Sequence, residues 1–133
     1  MTGTQTAPVG GSKASAISNL MVGLLSRYTG RGPTQARTYF NDNIVTIVLG
    51  ETLTKAEHTL VDNDHSDVVL ATRKTFQDVM GADLIAGVEQ ILQRKVVAFL
   101  SANHIDPDIA VETFILAPAG AGAPATPSDP APR

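Results

Sequence analysis

Ile17, Leu20, Met21, Leu24, Leu25 and Tyr28 recur at spacings of three and four, with Ser18, Asn19, Ser26 and Arg27 falling between them. That spacing lays a single apolar stripe along an amphipathic helix, predicted over Ala16 to Thr29. Ser15 is placed to cap its start, and Gly30 suits the left-handed backbone position that closes a helix. After Pro33 the pattern changes. Arg37-Thr38-Tyr39-Phe40 and Ile44-Val45-Thr46-Ile47-Val48-Leu49 are β-rich runs. Asn41-Asp42-Asn43 between them tolerates positive φ, so the segment predicts a β-hairpin.

Thr54-Lys55-Ala56-Glu57 has the spacing of a capping box, so a short second helix is expected from Lys55 to Val61 or Asp62, with Leu53 docking at its start. Asp64 or Ser66 is the expected cap of a third helix. In it Val69, Phe76, Met80, Leu84, Val88 and Ile91 keep helical spacing past Gly81, as one long helix or as two with a kink there. Its polar face is assigned Arg73, Lys74, Gln77 and Asp78. Lys95 to Leu100 and Ile109 to Leu116 are again strand-like, the second alternating Val111, Thr113, Ile115 with Glu112, Phe114. Asn103 to Asp108 is the turn-rich connection that makes them a second hairpin.

Helix, hairpin, helices, hairpin predicts an α+β two-layer sandwich, with a mainly antiparallel four-stranded sheet built from two hairpins and helices on one face. Helix plus hairpin occurs twice, a weak pseudo-repeat without the residue identity that would mark a duplication. The ends differ in composition: Met1 to Lys13 is rich in Gly, Thr, Ser and Pro, and Pro118 to Arg133 is nearly all Ala, Pro and Gly. Such segments bury too little apolar area to offset chain entropy. Residues 1–14 and 118–133 are therefore expected as disordered tails flanking a single domain over 15–117, the last a solubilising tail without a PxxP site flanked by basic residues.

Ten basic and thirteen acidic residues in a 133-residue chain give a net charge of -3, with a pI near 5.5. No global positive field draws phosphate backbones, so nucleic acid is not an expected partner. The absence of cysteine removes disulfides and thiolate chemistry and is compatible with a reducing compartment. The longest mostly apolar run, Ile17 to Leu25, falls short of the roughly 20 residues of a membrane span. Met1 to Gly11 lacks the basic start of a secretory signal, so the expected location is cytoplasmic.

Three segments offer chemistry. Gly30, Arg31 and Gly32, with Arg37 downstream, have the residue types of an anion site, since glycines let amides approach an oxyanion and a guanidinium clamps it. The segment follows a helix C-terminus, however, whose partial negative charge Arg31 would complement, so a helix cap and loop is the competing reading. Asn103-His104-Ile105-Asp106-Pro107-Asp108 gathers an imidazole and two carboxylates. His104, Asp106 and Asp108 fit an acid/base pair or an oxygen and nitrogen ligand set, and equally an ordinary turn. Asp62 to Asp67 resembles the start of a calcium loop but puts Asp67 at the glycine position and Arg73 where the bidentate glutamate belongs, which rules that geometry out.

The blocks Tyr28-Thr29-Gly30-Arg31-Gly32-Pro33, Ala36-Arg37-Thr38-Tyr39, Thr52-Leu53-Thr54-Lys55, Lys95 to Phe99 and Asn103 to Asp108 resemble a bacterial family once called a domain of unknown function. It is now named the C component of the sodium-translocating membrane-potential-generating system, and the similarity covers roughly Ala16 to Leu116. The resemblance implies a small accessory or regulatory component of an assembly that moves sodium ions or, in related systems, handles inorganic carbon such as bicarbonate. It implies no established catalytic residue, no metal and no cofactor. Without a span of its own, the chain would act through membrane-embedded partner subunits, and a homodimer is expected. An anion- or metabolite-sensing module using Arg31 and Arg37 is the alternative, and a small enzyme using His104 the third.

Overall fold

The stripes and alternations resolve into α1 (Pro8–Thr29), β1 (Gln35–Asn41), β2 (Ile44–Gly50), α2 (Lys55–Asp62), α3 (Ser66–Leu92), β3 (Val96–His104) and β4 (Ile109–Leu116). A computed structural model describes residues 8–120. All strand pairs are antiparallel, in the order β1-β2-β4-β3, so the two hairpins join through their second strands. The α+β expectation holds. The twice-used helix-plus-hairpin unit also takes on spatial meaning, because β2 and β4 are central while β1 and β3 form the two edges.

One face of the sheet is dry. Val45, Ile47 and Leu49 of β2 and Ala110, Phe114 and Leu116 of β4 pack against Ile17, Met21, Leu24 and Leu25 of α1 and Met80, Leu84 and Val88 of α3. Phe99 stacks on Phe114 with ring centroids 4.9 Å apart. Burying this many large apolar side chains is the main term favouring the fold, at about 1.5–3 kcal/mol for each one fully buried. The helices come close where Gly87 leaves room, since a Cβ there would lie 2.5 Å from a Leu20 methyl. Lys13 reaches the Ile91 carbonyl and Tyr28 the Asp83 carboxylate, so α1 runs antiparallel to α3.

Several local expectations hold and others change. Gly30 closes α1 at φ 81°, with its N–H on the Ser26 carbonyl, and Thr54 and Glu57 form the reciprocal capping box of α2. Leu53 is buried at that start. The first helix begins at Pro8 rather than Ala16, which puts Ser15 inside it and not at its cap. Residues 8–14 are thus helical, and the expected tails at 1–7 and 121–133 lie outside the described residues. The third helix is one uninterrupted element. Its N-cap position is His65, without a side-chain hydrogen bond; Asp64 instead takes the left-handed conformation that turns the chain, and Ser66 is already helical.

The largest departure concerns the polar face of α3. Lys74 and Asp78 are exposed and paired, but Arg73 and Gln77 are buried among the core residues of the helix. Arg73 is tolerated because its charge is paired with Glu57 and two of its guanidinium nitrogens are hydrogen-bonded. Its Nε donates to Glu57 Oε2 at 3.1 Å, and one terminal nitrogen donates to Glu57 Oε1 at 2.7 Å and to the Thr52 carbonyl. Glu57 Oε1 also accepts the Thr54 N–H of the capping box. The Arg73–Glu57 pair therefore ties together the start of α2, the segment before it and the buried face of α3. Truncating either partner leaves the other charge buried, so Arg73→Met is expected to cost about 3–5 kcal/mol, read as a lower urea midpoint with unchanged slope.

Candidate functional site

At one end of the sheet three connections converge: the α1–β1 loop, the β2–α2 segment and the β3–β4 turn. Asp108, at the end of the turn, accepts from Thr52 N, Thr52 Oγ1 and Leu53 N at 2.9–3.1 Å, so its carboxylate holds a neighbouring segment. Glu51 is the hub of the same end. It sits at φ 59°, a region that a non-glycine residue occupies only when its surroundings hold it there. Its N–H donates to the Asp108 carbonyl, its carbonyl accepts from Arg31 Nε at 3.2 Å, and its carboxylate accepts from Thr34 Oγ1 at 2.5 Å.

These contacts decide which sequence candidates meet. Arg31 and Asp108 line one shallow hollow of about 620 Å³, together with Gln35, Glu51, His58 and Pro107. Arg37 is exposed on the far face of the sheet and lines an adjoining hollow of about 510 Å³ with Tyr39, Val48 and Ile109. Gly30, Gly32, His104 and Asp106 line neither. The His104 ring pairs through Nδ1 with the Pro107 carbonyl at 2.8 Å, inside its own turn. Arg31 forms no salt bridge with a carboxylate among the described residues. Chemically the hollow offers a guanidinium and an imidazole beside the Glu51 carboxylate, a mixed-charge surface.

A second polar group lies in the core, where the sequence reading placed no site. Glu112 of β4 is only 1% exposed, between Ile47 and Ser101 on the neighbouring strands. Its Oε2 accepts from Gln77 Nε2 at 3.2 Å, and Gln77 and Asn103 form a reciprocal amide pair at 3.0 and 3.1 Å. Glu112 Oε1 and Ser101 Oγ are buried without hydrogen-bond partners among the described residues. Burial pushes the Glu112 carboxyl up to about 7, while the Gln77 hydrogen bond and the Arg73 charge act in the opposite sense. The available signal was a glutamate sharing its strand face with Phe114. Only the packing of Gln77 against that face makes it legible.

The comparisons bear on the whole fold. A family described as the Na+-translocating membrane potential-generating system (MpsC) matches residues 10–118. This chain belongs to that family. The match runs from within α1 to just past β4, so the buried network, the converging connections and both hairpins are all MpsC family territory. No curated protein and no solved structure gives a significant match. No helix among the described residues is long and apolar enough to cross a membrane.

Glu112 yields a test of the buried network. Its folded pKa lies above the ordinary 4.5, so the folded state holds this proton more tightly than the unfolded chain. The resulting stability is fully present below pH 4.5 and is lost as pH rises through about 7. The span corresponds to about 3 kcal/mol. Relative to wild type, Glu112→Gln should therefore gain stability progressively across that window and plateau above it, measured by urea unfolding at a series of pH values.

Proposed function

We propose that this MpsC family chain is an accessory component that works by protein–protein contact, as a dimer, with the open face of its sheet seated on a membrane-embedded subunit of the system. The observation that carries the reading is the composition of that face. The residues opposite the helices include Tyr39, Ile44, Val48, Ile109, Val111, Ile115, Leu100 and Ala102, with Arg37 as their one full charge and the Thr46 and Thr113 hydroxyls paired at the centre. Tyr39 is 52% exposed and Ile44 40%. A contiguous apolar surface of this kind marks an interaction site more often than a solvated one. A family named for a multi-component system supplies the class of occupant.

The test is co-expression with the membrane subunits of the system and purification through them. Wild type is expected to co-purify, and the double variant Tyr39→Glu/Ile44→Glu, which leaves the buried face untouched, to drop by about tenfold or more in recovery. Recovery of the folded variant at wild-type levels, or no recovery of wild type, would overturn the reading. A second reading, an anion-sensing module, is favoured by one specific observation: Arg31 lines the same hollow as Pro107 and Asp108, with Arg37 in the hollow beside it. On that reading bicarbonate or phosphate raises the melting temperature of wild type, and Arg31→Ala abolishes the rise. Unchanged melting in both anions removes it.

A further inference from the structure

The two edges of the sheet are not alike. β1 carries Arg37 in mid-strand, with its own side held by the Ser18–Thr38 hydroxyl pair at 2.8 Å. β3 runs nine residues, Val96–His104, without Asp, Glu, Lys, Arg or Pro. Charges and prolines are the usual devices that keep an edge strand from pairing with another chain, and this edge has neither. Its one irregularity, a register shift between Val96 and Ala98, lies at the start and leaves the ladder from Ala98 to His104 regular. Val97 and Leu100 are each 56% exposed.

The ground beside this edge is shaped for another strand. Between β3 and α3 lies a hollow of about 310 Å³, lined by Phe99, Ser101 and Asn103 from the strand and by Leu70, Lys74 and Gln77 from the helix. A strand added to β3 would direct alternate side chains into this hollow and the others onto the open face. The pattern of β3 itself supplies the occupant. About Leu100 the open-face residues read Ala98, Leu100, Ala102, the same in both directions. Antiparallel pairing of two such strands sets Leu100 against Leu100 and Ala98 against Ala102. On the helix side it sets Phe99 against Ser101 twice, large against small, with no like charges opposed.

We propose that β3 pairs antiparallel, in register about Leu100, with β3 of a second copy of this chain, joining two four-stranded sheets into one continuous sheet. This rests on the dimer reading above and names its interface. A two-fold axis perpendicular to the sheet keeps both helical layers on one side, so the two open faces merge into one apolar surface of doubled width. The pairing satisfies the outward backbone groups of β3.

The test exploits the self-opposition of Leu100. By light scattering after gel filtration at high micromolar concentration, wild type is expected at twice the 13.9 kDa chain mass. Leu100→Glu and Leu100→Lys are each expected at the monomer mass, because like charges would face each other. An equimolar mixture of the two is expected to return to the dimer. A monomeric wild type, a dimeric Leu100→Glu, or a mixture that stays monomeric would each overturn the proposal. Circular dichroism of both variants, substituted at an exposed position, separates loss of pairing from loss of fold. Tyr39→Glu/Ile44→Glu, on β1 and β2 of the same open face but away from the β3 edge, should remain dimeric whether or not it binds membrane subunits, so failure here and failure of the partner reading are distinguishable.

Discussion

The inward face of α3 has to seal one side of the sheet while carrying an arginine and a glutamine at Arg73 and Gln77. Those two side chains could be buried only if partners came to them, and the partners come from everywhere. Glu57 arrives from α2, the Thr52 carbonyl from the segment before it, Glu112 from β4 and Asn103 from β3. Apolar burial supplies most of the driving force, but it is indifferent to exact placement. The buried polar contacts are directional, and a misplaced partner would leave an unpaired donor or charge in the core. They therefore select one docking of α2 and α3 on the sheet.

The same network extends towards the end of the sheet where the three connections meet. Thr52 takes part in both: its carbonyl accepts from Arg73, while its N–H and hydroxyl donate to Asp108. Arg31, Glu51 and Asp108 are thereby fixed relative to the core even though they lie in connections. This recasts two of the sequence blocks that carry the family resemblance, those containing Arg31 and Asp108. They are far apart in the chain, yet Arg31 and Asp108 line one hollow because Glu51 is bonded to both of their segments. Asp108 is committed to holding Thr52 and Leu53, so the free chemistry of that end lies with Arg31, His58 and the rim around them.

Because α1 and α3 both cover one face, the opposite face of the sheet is left without a described element over it. In a two-layer sandwich this is a geometric consequence of placing both crossing helices on one side. A water-facing antiparallel sheet would be expected to alternate apolar and polar residues cleanly. Here the alternation is weak in β2 and β4, where Ile44, Val48, Val111 and Ile115 face outward opposite an equally apolar inner face. That excess of apolar residues has no role in the fold as it stands. It is the surface that the proposed protein–protein contact would use.

Elements whose cause is local were readable from the chain alone. The stripe of α1, the Thr54–Glu57 capping box, the closure of α1 at Gly30 and the two hairpins each depend on residues within a few positions of one another, so spacing and turn chemistry were enough. The start of α1 was not, because Pro8 to Ser15 lacks an apolar stripe to mark it as helix, and the contact of Lys13 with the Ile91 carbonyl is invisible in local spacing. Nor was the burial of Arg73, Gln77 and Glu112. Each looks like a surface residue until its partner is known, and the partners lie 16 to 35 residues away. Sequence spacing determined which segments become helix or strand and that two hairpins make the sheet. Only the tertiary structure decided which polar groups enter the core and which face is left bare, since both depend on long-range pairing that local propensity does not encode.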